Sequence, residues 1–186
     1  VFSMEDIDGS VTDHGVALDV QDIPWAGRQL WDCDCAYKGG SYYLYFPLKD
    51  RTDAFRIGVA VGDKPEGPFI PQAEPIKGSY SIDPCVFFDE DGSHYMYFGG
   101  IWGGQLQHYR DNQPVVCGEE PADFEPALPA RVVKLSDDMM QFSEEPRPVV
   151  ILDENGEALK AGDHDRRFFE AAWMHTYQGN YYFSYS

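Results

Sequence analysis

Long apolar runs are missing from this 186-residue sequence. No stretch approaches the ~20 consecutive apolar residues that a membrane-crossing helix needs, so no helical span and no membrane partner is read. Basic residues are scarce: 14 Lys and Arg stand against 32 Asp and Glu, for a net charge of −18. With no run of Lys or Arg, the chain offers no footprint for nucleic acid or for an anionic lipid surface. The opening Val1-Phe2-Ser3-Met4 has no basic stretch leading into an apolar one. No secretory signal is read there, which favours the cytoplasm. The same opening lacks an initiator Met and reads like the middle of a strand, so the start of the protein is expected upstream of Val1. Cysteine is also sparse. Cys33, Cys35, Cys85 and Cys117 are too scattered for a disulfide scaffold, and the Cys33-x-Cys35 pair has no second pair at zinc-like spacing. No metal site is assigned, and all four are expected as small apolar fillers at buried strand positions. Helical periodicity is weak throughout; residues 137–142 form a short turn at most.

Aromatics and turn formers are abundant. The chain is 43% hydrophobic and 15% aromatic, enough for a real core, and its 18 Gly and 13 Pro point to many short strands joined by turns. A repeat runs through it. Residues 36–46 (AYKGGSYYLYF), 86–98 (VFFDEDGSHYMYF) and 175–185 (HTYQGNYYFSY) each read as a strand, a tight turn at Gly and a second aromatic strand. Tyr43 and Tyr95 lie 52 residues apart, about one four-stranded propeller blade. Tyr95 and Tyr182 lie 87 apart, a blade carrying an insertion for which the acidic, Pro-rich stretch 111–129 is the candidate. Further strands are predicted over 55–61, 131–135 and 148–152, with a turn at Lys64-Pro65-Glu66-Gly67-Pro68. The class is all-β. A propeller fits better than a sandwich because the repeating unit is a whole meander.

Three acids fall at comparable points of the repeat. Glu170 lies nine residues before Gly179, Asp83 nine before Gly92, and Asp34 six before Gly40. Because the innermost strand of each blade lines a propeller's axis, acids so placed would converge at one end of it. Cleaving a glycosidic bond needs that kind of cluster: a protonated carboxyl for the leaving oxygen and an ionised one across the bond. Asp83 precedes Pro84 and on its own reads as a turn starter. Glu170 sits between Phe168-Phe169 and Ala171-Ala172-Trp173, where an unpaired buried carboxylate would cost several kcal/mol, of order 2–7.

Several stretches together resemble the motifs of glycoside hydrolase family 43, nearest its β-xylosidase and α-L-arabinofuranosidase members. They are Trp31-Asp32-Cys33-Asp34, Ser81-Ile82-Asp83-Pro84-Cys85-Val86-Phe87, Gly99-Gly100-Ile101-Trp102-Gly103-Gly104, Gly162-Asp163-His164-Asp165-Arg166-Arg167 and Phe169-Glu170-Ala171-Ala172-Trp173. The resemblance spans essentially the whole chain. It implies a five-bladed β-propeller that acts with inversion from the end of xylan-derived oligosaccharides. Glu170 matches the general acid and Asp83 the carboxylate that tunes the acid's pKa. The general base, an Asp early in the first blade, has no match here. The family's usual Trp-Ala-Pro-Asp also departs, with Asp32 and Cys33 replacing Ala and Pro, which leaves Asp34 as a site-lining candidate.

Five blades need roughly 250–300 residues, so 1–186 is expected to supply about three blades of a partial catalytic domain, without the start of the first blade and without the last ones. Alone it is expected to be inactive. No cofactor is required; the resemblance adds a structural calcium on the axis of the full-length protein, held largely by a His of a later blade absent here. Trp25, Trp31, Trp102 and Trp173 are candidates for stacking on sugar faces, weighed against the core role large aromatics more often take. Trp102, set between Gly pairs, is the first choice. His164 and Arg166 are candidate pocket residues close to Glu170. Two other readings stand beside the inverting glycosidase: a carbohydrate-binding propeller without catalysis, and a retaining propeller enzyme of the invertase type. The sequence carries no signature of oligomeric state.

Overall fold

A computed structural model describes residues 1–115 and 118–186; Cys117 lies outside them. Among the described residues there is no α-helix, only three single-turn 3₁₀ segments at Val20–Asp22, Trp102–Gly104 and Leu106–His108. A small hairpin, β1 (Phe2–Ser3) with β2 (Thr12–Asp13), precedes the repeat. β4 (Asp34–Lys38), β5 (Ser41–Asp50), β6 (Phe55–Gly62) and β7 (Ile70–Pro71) then form a four-stranded antiparallel meander. β3 (Ala26–Leu30) pairs with the far half of β5. A second meander follows: β8 (Cys85–Phe88), β9 (His94–Phe98), β12 (Ala130–Lys134) and β13 (Arg147–Val149). Its long connection carries a two-residue ladder, β10 (Tyr109–Arg110) with β11 (Gln113–Pro114). The hairpin β14 (Trp173–Tyr177) with β15 (Asn180–Ser184) opens a third unit. The three hairpins expected from the repeat are these inner pairs. The chain thus describes two complete meanders and the beginning of another.

Period-two alternation explains the strands. In β9, His94, Met96 and Phe98 are buried while Tyr95 and Tyr97 are half-buried. From Ile57 to Val61 β6 is apolar without a break, because that stretch is covered on both faces. Ile57 and Val59 join Tyr45, Met96, Phe98 and Val133 between the two meanders. Ala60 joins Phe46, Leu48, Trp25 and Ile23 on the other side. There Trp25 stacks on Phe46 at 5.9 Å, and Gly58 lies beneath both rings, where a Cβ would come within 2.6 Å of them. The third hairpin packs on the second meander through Phe183, which meets Tyr97 at 5.8 Å. As a result β4, β8 and β14 run side by side as the inner edge of the three units.

The cysteines depart from expectation. Cys85 is buried, but Cys33 and Cys35 are exposed. Cys33 lies in the loop before β4, and Cys35 lies in β4 on the face that alternates exposed with Tyr37. Of the four tryptophans only Trp25 is core.

Candidate active site

The inner edge delivers its carboxylates to one cleft of about 190 Å³, lined by Asp32, Cys33, Asp34, Asp83, Glu170 and Trp173 among others. Asp34 opens β4 and reaches sideways, accepting from the Val86 amide of β8 at 2.6 Å and from the Cys35 amide at 2.8 Å. It therefore ties two inner strands together while lining the cleft. Asp83 precedes β8 in a left-handed backbone conformation (φ 55°) and accepts from the Ala171 amide at 2.9 Å. Ala171 itself sits at φ 58°. The bond joins the two loops that carry Asp83 and Glu170.

Glu170 is half-buried and held by its backbone: its amide donates to the Ser186 carbonyl at 3.2 Å and its carbonyl accepts from the Ser186 amide at 3.0 Å. No other protein group competes for its carboxyl among the hydrogen bonds of the described residues. Gly100 makes room for it. A Cβ there would lie 3.2 Å from Glu170 Cβ and 2.7 Å from the Ile82 side chain. Burial pushes the Asp83 carboxyl up to about 6, against the pull of the Ala171 amide, with smaller upward pushes from Glu170 and Asp32. Burial likewise raises Asp34, opposed by its two amide donors.

The nine-residue offset shared by Asp83 and Glu170 does not mark equivalent positions. Counted back from the last paired residues, Phe88 and Tyr177, Asp83 stands five places away and Glu170 seven. The turn of the second hairpin is longer, and that difference makes the distances to the Gly equal. The acids converge because both lie in loops entering inner strands.

Trp102 stands 59% exposed beside this cleft, its ring edge-on to Phe169 at 5.0 Å. Trp31 packs on Phe55 at 4.7 Å and lies over Gly103, within 3.4 Å of where a Cβ would project. Arg166 faces Asp163 at 3.6 Å, and its carbonyl accepts from Tyr185 Oη. His164 Nδ1 lies 3.2 Å from Arg167 Nη2. Trp31, Trp102, His164 and Arg166 are not among the residues that line the cleft, and Trp102 adjoins it only through Phe169. Trp173, one of the four tryptophans offered for stacking, lines the cleft and is exposed. A larger hollow of about 450 Å³ near Arg110 and Arg131 has five prolines in its wall and brings no pair of carboxylates together. Among the described residues no three His, Cys, Asp or Glu side chains are arranged to hold a metal ion.

Successive four-stranded meanders that bring acids to one end of a shared inner edge place the chain in the β-propeller class. Within that class it belongs to glycosyl hydrolases family 43, whose sequence profile matches residues 9–186. It is 65% identical over 187 residues to a xylosidase/arabinosidase of Bacteroides ovatus, covering 100% of this chain and 58% of the relative. Over 195 residues it is 62% identical to xylosidase/arabinosidase 43A of Humicola insolens, covering 100% of this chain and 60% of that protein. Among solved structures, the RS223 β-xylosidase superposes with a TM-score of 0.98 at 64% identity, covering 100% of this chain and 58% of the other. The GH43_1 enzyme of Xanthomonas citri in complex with xylotriose superposes at 0.97 with 54% identity, covering 100% and 56%. The chain thus spans a little over half the length of the relatives it matches.

Proposed function

We propose that the full-length protein is a five-bladed propeller glycosidase that releases single xylose or arabinose units from xylan-derived oligosaccharides with inversion. One observation carries the reading: Asp83 and Glu170, 87 residues apart, share a cleft in which the Ala171 amide pins the Asp83 carboxylate beside the Glu170 backbone. Glu170 is the general acid, with a carboxyl free to protonate the leaving oxygen. Asp83 anchors the loop that presents it, through the Ala171 amide, and is the carboxylate that modulates the acid. The ionised carboxylate that activates water comes from outside these residues. Proton transfer between carboxyls, water and sugar requires no cofactor, and a calcium ion in the full-length protein is read as structural. The names of the relatives, and xylotriose in the Xanthomonas citri complex, support the choice of substrate.

Glu170→Gln in the full-length protein should lower kcat on xylotriose by about 10²–10⁴, the usual worth of general acid catalysis. A loss under about tenfold removes Glu170 from that role. Proton NMR of the first-formed anomer checks inversion: a product of retained configuration returns the retaining reading.

A further inference from the structure

Glu120 belongs to no motif, and Arg167, which closes the Gly162–Arg167 motif, carries no role in the reaction above. Arg167 is only 7% exposed. A buried guanidinium must be fully paired, because an uncompensated one is costly. Its Nη2 donates to Glu120 Oε2 at 3.1 Å, its Nε and Nη2 face His164 Nδ1 at 3.3 and 3.2 Å, and its Nη1 meets the Phe168 carbonyl at 3.4 Å. The second oxygen of Glu120 accepts from Trp102 Nε1. The buried charge is thus linked, through one carboxylate in the acidic insertion, to a tryptophan standing in the open.

Trp102 is fixed from other directions as well. Its edge contact with Phe169 places it next to the residue before Glu170, and its carbonyl accepts from the Gln105 amide at 3.0 Å and from Gln107 Nε2 at 3.2 Å. Its own φ is 54°, a conformation that costs a non-glycine residue energy. An exposed indole with its rotamer locked is an aromatic platform whose ordering cost has been met before a ligand arrives. We propose that Glu120 and Arg167 are positioning residues that hold the Trp102 indole as a wall of the sugar site, where it meets the C–H face of an uncharged pentose. The inference rests on the glycosidase reading and adds two residues to it.

Steady-state kinetics of the full-length protein on xylotriose test it. Trp102→Phe removes the Nε1 donor and leaves the Arg167–Glu120 pair intact, so it should fold. KM should rise about five- to tenfold, the scale of one lost hydrogen bond, with kcat within about twofold. Glu120→Gln keeps an acceptor for the indole but removes the charge that compensates Arg167, so KM should stay within about twofold of wild type while stability to denaturant falls. Glu120→Ala should match Trp102→Phe, and the double variant should be no worse than either alone. A KM unmoved in Trp102→Phe, or effects that multiply in the double variant, would overturn the proposal by reducing the pair to a loop staple. If the wild-type protein releases no sugar from xylotriose, the glycosidase reading fails instead. The two failures are therefore separable.

Discussion

Between β5 and β6 the chain pairs Tyr42 with Gly62 through to Lys49 with Phe55 without a register break, and Tyr45, Phe46, Leu48, Phe55 and Ile57 are wholly buried. Every paired non-glycine residue there has ordinary negative φ. The cleft is built otherwise. Ser81, Asp83, Trp102 and Ala171 all hold left-handed backbone conformations, and acids that burial disfavours stand close together. The ladder is held by apolar burial and continuous hydrogen bonds, and gains stability wherever it is packed. The cleft carries strain and unfavourable charge that the ladder must outweigh. The groups proposed to do chemistry thus lie where stability is spent, as expected for sites that need pre-set geometry.

Substitutions in the two regions should separate on that basis. The largest stability effect is expected in the ladder. Ile57→Ala empties a buried position between the meanders and should lose about 2–5 kcal/mol in denaturant unfolding of the full-length protein, with KM unchanged. A loss under about 1 kcal/mol would mean that the interface between meanders is not the main support. Asp83→Asn should do the reverse. The folded carboxyl, at about 6, holds its proton more tightly than the unfolded one, near 3.9. Stability from this group is complete below pH ~4 and is lost as pH climbs to and beyond 6. After allowance for solvent screening of a partly exposed group, the variant should be about 1 kcal/mol more stable than wild type at pH 8 and equal to it at pH 3.5, while activity falls. Parallel stability–pH curves for the two proteins would show that Asp83 carries no buried charge.

How much of this could be read beforehand differs between the same two regions. The hairpins at Gly40, Gly92 and Gly179 and the strand over β6 were legible because alternation and Gly turns are local signals. The gathering of Asp83 and Glu170 was legible only by resemblance: the equal spacing that first paired them is an accident of unequal turns. Cys33 and Cys35 were misjudged as buried because composition does not say which face of a strand is left uncovered. Glu120 left no trace, since an acid in an acidic insertion looks like a solvated one. Only the folded chain brings Arg167 to it. Backbone strain at Ser81, Asp83 and Ala171 was equally hidden, because Ser and Ala do not announce φ > 0 and Asp favours it too weakly to mark one position.

The finest test of the contrast is Ala171→Gly. Ala171 is exposed, so removal of its methyl group forfeits little packing. At φ 58° an Ala bears a penalty of roughly 1–2 kcal/mol that Gly does not, set against about 0.5–1 kcal/mol of extra backbone entropy in unfolded Gly. The net should be a gain of about 0.5–1 kcal/mol by thermal or denaturant unfolding. The amide that holds Asp83 remains, but the loop it belongs to is freer, so kcat should fall several-fold even as stability rises. A variant that is both more stable and fully active would show the strain at Ala171 to be incidental to catalysis, and the division between a relaxed ladder and a strained cleft would then describe the backbone without explaining the site.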